Sequence, residues 1–284
     1  MNLGNYINKL MVDSRFKTLN STSNTDFKIE LPDNLQMPPY TGCVITDVVI
    51  PRTFYNVNNT NNKLCFRIKL ANSNYNDYII TLKPQNYNLF GLATAIMNEM
   101  NDAIGHNYLQ AQANTSLGKI LITIVHVINV SNFSIFINSD LLTKCNGTWR
   151  GPFYNVNNLM SINAILNNDD RLPNQEYTEY YSGVVDLLGT HTIYIKSSTL
   201  CNYSNIGPGA EQNIVKKIVN NVEFGNVIIY ENYLIEDYVD VSDRYLKIVD
   251  FQITDAFGNV LDLNNSHISF SILFIDTKKY QNFR

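Results

Sequence analysis

Charge is scarce in this sequence. Asp, Glu, Lys and Arg together make 16% of its 284 residues, against about 25% in average soluble proteins. The net charge is −4, which disfavours a basic nucleic-acid-binding domain, and no specific nucleic acid is expected as a partner. Cysteine is equally sparse. Cys43, Cys65, Cys145 and Cys201 stand far apart and form no CxxC pair, so a zinc knuckle or redox motif is absent and reduced, buried thiols are expected. No apolar run is long enough to cross a bilayer; the longest, 120–130, is broken by Thr123, His126 and Asn129. The start, 1–17, has no apolar core of a secretion signal, so synthesis inside a cell is expected. His106, His126, His191 and His267 show neither HExxH nor HxxxH spacing, which excludes the familiar zinc hydrolase motifs. There is no GxSxG elbow, no GxGxxG and no P-loop; Gly207-Pro208-Gly209 lacks the following Lys-Ser/Thr and reads as a turn.

What is present is an apolar, aromatic and asparagine-rich chain. Hydrophobic residues make 45% and aromatics 12%, with 18 Tyr and 14 Phe, enough for a sizeable core. The 42 asparagines supply surface polarity and favour turns. The length suits one large domain or two ordinary ones. Hydrophobicity alternates with period two over Asp26–Leu31, Leu64–Leu70 and His267–Ile275, and Cys43–Ile50 is a nearly continuous apolar run; each predicts a strand. Further strands are predicted at 78–82, 119–128, 133–137, 192–196, 212–219, 227–231 and 245–254. One segment breaks the pattern. Leu89, Leu92, Ala93, Ile96, Met97, Met100 and Ile104 form a helical stripe, with Asn88 as N-cap, Gly105 as terminator, and Asn98, Glu99, Asn101 and Asp102 on the outer face. Residues 138–182 read as a long connection with a short helical turn at 159–166. Short strands, few helices and Gly/Asn/Pro turns predict an all-β two-sheet sandwich or jelly roll.

Few residues offer chemistry. Acidic clusters occur at Asp169-Asp170 and at Glu236, Asp237, Asp240 and Asp243; the second holds carboxylates for a calcium ion but lacks the order of a calcium loop, and a solvated loop face is expected. Lys9, Arg15 and Lys17 are too few to mark a nucleic-acid site. Tyr177, Tyr180 and Tyr181 beside Glu176 and Glu179 suit either an interface or ordinary loop packing. No catalytic residue, cofactor or metal ligand is expected.

An ordered set of motifs carries a resemblance. Val12-Asp13-Ser14-Arg15-Phe16-Lys17 precedes Asp26-Phe-Lys-Ile-Glu-Leu-Pro32; Asp47-Val-Val-Ile-Pro51 and Phe54-Tyr55 follow. Then come Ile80-Thr-Leu-Lys-Pro84, Asn86-Tyr87 and Leu92-Ala93 of the helix. Last are Val185-Asp186-Leu187, Ile193-Tyr-Ile195, Gly207-Pro208, Ile214-Val-Lys-Lys-Ile218, Phe224-Gly225, Asp255-Ala-Phe-Gly258-Asn259, Leu263 and Ser269-Phe-Ser-Ile-Leu-Phe274. In order and spacing these resemble the penton, or minor capsid, proteins of Polinton/Maverick elements, adintoviruses and related virus-like elements. A glycine of that pattern is replaced by Gln85, and another by Asn264-Asn265.

The resemblance implies a single jelly roll, homopentamers at the vertices of an icosahedral virus-like capsid, a double-jelly-roll major capsid protein as neighbour, and no enzymatic activity. The expected organisation is an N-terminal arm (1–23), a jelly roll in two parts (24–70 and 183–276), an inserted β-rich domain carrying one helix together with the long connection (71–182), and a C-terminal tail (277–284). The insert is placed to project outward and meet a host receptor. A soluble jelly-roll protein that binds a receptor or carbohydrate would share the fold and is the alternative.

Overall fold

The structure, a computed structural model, describes residues 9–72, 74–135, 149–150, 154–155, 162–167, 176–203, 205–231 and 237–278. The chain divides into two compact units. One comprises the chain up to Phe54 and from Thr190 onward; the other is Tyr55–Gly189. The first unit opens with β1 (Lys9–Asp13), β2 (Asp26–Gln36) and β3 (Thr41–Pro51). The second contains β4 (Lys63–Leu70), β5 (Tyr75–Thr81), α1 (Leu89–Ile104), β6 (Leu109–Asn114), β7 (Lys119–Ile124), β8 (Val130–Ile135), a hairpin of β9 (Trp149–Arg150) and β10 (Tyr154–Asn155), α2 (Asn163–Leu166) and β11 (Glu179–Tyr181). The chain then returns to the first unit through β12 (Thr192–Lys196), β13 (Ile214–Val219), β14 (Val227–Tyr230), β15 (Val239–Asp240), β16 (Tyr245–Thr254) and β17 (Ser269–Asp276).

The first unit is a jelly roll. One sheet has the order β1-β17-β3-β14, with the two residues of β15 added to β3; the other has the order β2-β16-β12-β13. Every pairing is antiparallel. With β15 set aside, the strands in chain order fall first, eighth, third and sixth in one sheet and second, seventh, fourth and fifth in the other. That interleaving is two nested Greek keys. Alternation builds the core between the sheets: Phe27, Ile29 and Leu31 of β2 meet Val249, Phe251 and Ile253 of β16, and face Ile45, Ile50, Phe270 and Ile272 across the sandwich. Phe251 packs edge-on to Phe270 at 4.9 Å between ring centroids.

The eighth jelly-roll strand is not the one expected. Leu64–Leu70 forms a strand but pairs with β5 and β8 in the second unit. The missing strand is β1, which had been placed in the N-terminal arm. It pairs with β17 from Lys9↔Leu273 to Asp13↔Ser269 and buries Val12. Period two predicts a strand without naming its partner, and the five residues Lys-Leu-Met-Val-Asp are too short a run to stand out in a polar flank. Residues 14–23 are likewise not a loose arm. They form a 3₁₀ turn (Ser14–Phe16) and a loop bonded back onto β2, with Thr18 N donating to Lys28 O at 2.8 Å.

The second unit holds the sheets β5-β4-β8 and β11-β7-β6, with α1 packed against β5, β6 and β7. Leu92, Ile96 and Met100 of α1 bury against Phe66, Ile68, Ile122 and Phe133. The helix starts where Asn88 Oδ1 accepts from Gly91 N at 2.8 Å and ends at Gly105 in the left-handed region, φ 77°, which glycine enters without a Cβ clash. Asn101 does not sit on the outer face: it is buried, and its amide bonds both the N–H and the carbonyl of Leu109. Buried Asn56 ties the unit together. It donates to Tyr87 O and Leu187 O and accepts from Tyr87 N, so two of the sequence motifs meet on one amide. Of the turn expected at 159–166, α2 accounts for 163–166, and 159–161 lies outside the described residues.

Candidate assembly surface

Both outer faces of the jelly roll mix apolar and charged side chains. On the β2-β16-β12-β13 sheet the outward positions include Lys28, Glu30, Lys217, Lys247 and Asp250, with Lys247 paired to Glu30 at 3.5 Å. Asp250 accepts from Ser198 N, Thr199 N and the Thr199 hydroxyl. Burial pushes its carboxyl up, but these hydrogen bonds outweigh that and hold it below the usual carboxylate range. The β1-β17-β3-β14 sheet exposes Met11, Val49, Val227 and Ile229. Its strands also carry charge: Lys9 pairs with Asp47 at 2.5 Å, and Asp240 and Asp276 are exposed on β15 and β17. A bulge at Asp47, with φ 52°, turns this carboxylate outward. The hydrogen bond from Lys9 holds it below the ordinary range.

The two open edges of the sandwich carry clefts. β1 and β2 are the first strands of their sheets and border a groove of about 450 Å³ lined by Met11, Asp13, Phe16, Leu31, Pro32 and Ser271. At the opposite edge, β14 and β13 border a cleft of about 740 Å³ lined by Tyr194, Lys216, Lys217, Tyr230, Asp237 and Tyr238. Lys216 points to this edge from β13, lies 5.0 Å over the Tyr230 ring and bonds Asp237 at 3.1 Å. An inward-pointing lysine on an edge strand is one way a sandwich discourages uncontrolled strand pairing.

Phe16 is 79% exposed and Met11 78%, yet both belong to ordered elements. Asp13 caps the 3₁₀ turn, accepting from Arg15 N at 2.9 Å, and its carboxylate also takes the Arg15 guanidinium at 2.5 Å. Those bonds keep the Asp13 carboxyl below its usual range. Ser14 is fully buried and bonded on both sides to Ile268. The sequence carried a signal for Phe16, an isolated Phe after Val12-Asp13-Ser14-Arg15, but not its exposure.

The other residues singled out in the sequence do not converge. Asp237 is engaged by Lys216, Asp240 accepts from Ser242, and Glu236 lies outside the described residues, as do Asp169, Asp170 and Cys145. Among the described residues no three His, Cys, Asp or Glu side chains gather as a metal site. His267 Nδ1 lies 3.4 Å from Ser14 Oγ, and His106 and His126 flank the Tyr108 ring. Tyr177 and Tyr180 pack edge-on at 5.2 Å within the second unit's interior, which leaves Tyr181 as the exposed ring. Cys43, Cys65 and Cys201 are buried thiols, and burial pushes the Cys43 thiol up to about 12. No helix among the described residues is long and apolar enough to cross a membrane.

The fold, jelly roll and inserted unit together, matches a solved structure. The chain has the fold of a penton protein. It superposes on the crystal structure of the mavirus penton protein with a TM-score of 0.50, covering 94% of this chain and 99% of that one at 10% identity. A chain of the Sputnik virophage, solved by cryo-EM, aligns with a TM-score of 0.45, covering 96% and 99% of the two chains at 13% identity. No family model and no curated protein sequence matches. At 10% identity the property shared with the mavirus protein is the fold, and the match extends over the inserted unit as well as the jelly roll.

Proposed function

We propose that this chain is a minor capsid protein, a penton, that forms homopentameric capsomers at the vertices of an icosahedral virus-like capsid. The observation that carries the reading is the fold match to the mavirus penton protein over nearly the full length of both chains. The low charge of the chain, 16% of its residues, supports it, because a chain that buries surface against other subunits needs surface of low charge. The chain acts as structure and not as a catalyst: no nucleophile, phosphate or metal motif is present in the sequence. Its neighbours in the shell are copies of itself and a double-jelly-roll major capsid protein, and its place is the virion.

A ring of five requires a heterologous contact, in which two different surfaces of the subunit meet and the rotation closes. The test is the mass of the purified protein by light scattering, together with electron-microscopy class averages and the position of the protein in particles. A five-fold ring found at the vertices is expected. A strict trimer, or a chain monomeric at every concentration and absent from vertices, overturns the reading.

A further inference from the structure

We infer that residues 205–211, in the connection between β12 and β13, form an acid-released strap: the Glu211 carboxylate latches them onto the buried Lys196 ammonium, and protonation of that carboxylate lifts them off the start of the edge strand β13. The latch lies within one subunit and stands or falls apart from the capsomer reading.

The buried cation is the first observation. The Lys196 side chain is 5% exposed, and its Nζ donates to Glu211 Oε1 at 3.0 Å. Among the described residues that carboxylate is its one hydrogen-bond partner. A buried cation that loses its counter-charge is costly, although the intact pair is tolerated. Two segments close over the ammonium. One is the strap, through Glu211; the other is the 255–259 turn, where a Cβ on Gly258 would stand 3.7 Å from Nζ. The turn is fixed by Asp255, which accepts from Phe257 N, Asn259 N and Asn259 Nδ2. The strap is therefore the segment that yields when Glu211 is neutralised and Lys196 needs water.

The second observation is how the strap is built. Gly209 N donates to Glu211 Oε2 at 2.7 Å, Gly207 N to the Glu211 carbonyl at 2.7 Å, and Ala210 N to the Gly207 carbonyl at 3.0 Å. A Cβ on Gly207 would lie 2.6 Å from Oε2, and one on Gly209 2.8 Å from it. Gly207-Pro208-Gly209 thus wraps a carboxylate of its own chain, and the glycines leave room for it. Outside this ring of bonds the strap is tied to β13 by Asn205 Nδ2, which donates to the Ile214 carbonyl at 3.1 Å. Ile214 begins β13, the outermost strand of its sheet.

Charge sets the direction. Burial pushes the Glu211 carboxyl up, but the backbone N–H groups and Lys196 outweigh that and hold it below the usual carboxylate range. A folded value below the unfolded one stabilises the closed strap fully above the unfolded value, and that stabilisation is lost as the pH falls through the folded one. The strap stays shut at neutral and mildly acid pH and opens below about pH 4. The other titratable groups on the packed elements are Tyr194 of β12, whose phenol burial keeps neutral, exposed Lys217 of β13, Lys216 paired with Asp237 at 3.1 Å, and Asp255 held in its own turn. Asp237 and Asp255 are both engaged, so neither replaces Glu211.

The experiment is hydrogen–deuterium exchange by mass spectrometry on the full chain, with each amide compared to its intrinsic rate at the same pH. The amides of Gly207, Gly209 and Ala210 are expected to be protected at neutral pH and to lose at least about tenfold of that protection at about pH 3.5, while those of β17 keep theirs. Glu211→Gln is expected to show the same loss at neutral pH. Lys196→Met combined with Glu211→Gln removes the buried cation as well, and the strap should close again and ignore pH. A wild-type strap as protected in acid as at neutral pH, or a Glu211→Gln strap as protected as wild type, overturns the inference. So does a loss that spreads equally to β17, which is unfolding of the jelly roll. A double variant as loose as Glu211→Gln also overturns it, by showing that the carboxylate holds the strap through backbone bonds and not through Lys196.

Discussion

Ser14 and Ile268 hold each other through two hydrogen bonds: Ser14 N donates to the Ile268 carbonyl at 3.0 Å, and Ile268 N donates to Ser14 Oγ at 3.1 Å. Both residues are fully buried. The pair fastens the end of β1 to the start of β17 and sets where the turn carrying Phe16 stands. Ser14→Ala leaves the Ile268 amide buried without its acceptor, which costs about 1–3 kcal/mol. Urea unfolding should show a lower midpoint at unchanged slope, and the Ile268 amide should exchange faster with deuterium.

The helix of the second unit supplies a test of its core. Ile96 is fully buried among residues of β4, β7 and β8. Ile96→Asp puts a carboxyl there without a partner, at a cost on the order of 4 kcal/mol. Limited proteolysis should then cut first within 55–189, with the jelly-roll fragments persisting longer. Unchanged protease resistance would show that the stripe tolerates a charge and is not packed as described.

Asp250 gives the jelly roll a pH dependence. Its folded pKa lies below its unfolded value, so its stabilisation is complete above the unfolded carboxylate value and is lost as the pH falls through the folded one. Asp250→Asn is expected to cost about 1–3 kcal/mol near neutral pH, where the charged acceptor holds the 197–199 turn. The difference between variant and wild type should shrink below about pH 4 as the wild-type carboxyl protonates. Urea titrations at neutral and acid pH measure both quantities.

The thiols offer a fourth test. Cys43, Cys65 and Cys201 are buried, and the raised Cys43 pKa keeps that thiol protonated and slow to react in the folded chain. Alkylation without reductant should label these three positions poorly in native protein and fully after denaturation. With Cys145, mass spectrometry of the denatured chain should count four labels. Two or fewer would reveal a disulfide.

The elements read most directly from the sequence are those whose signal is local. β2 from Asp26 and β17 from Ser269 bury alternate residues as their patterns predict, and α1 begins at Asn88 and ends at Gly105 because a capping side chain and a left-handed glycine act within one turn of the backbone. Partnership was not legible. Leu64–Leu70 alternates as cleanly as a jelly-roll strand, yet Phe66 and Ile68 bury against the helix of the second unit, while Lys9–Asp13 completes the sandwich through hydrogen bonds to a strand some 260 residues away. A period of two records that one face is covered and carries no information on what covers it. The candidate assembly surface depends on the same non-local step. Met11, Phe16, Val227 and Ile229 look like core residues in a linear chain. Only the closing of two sheets over a shared interior leaves them outside it, in water.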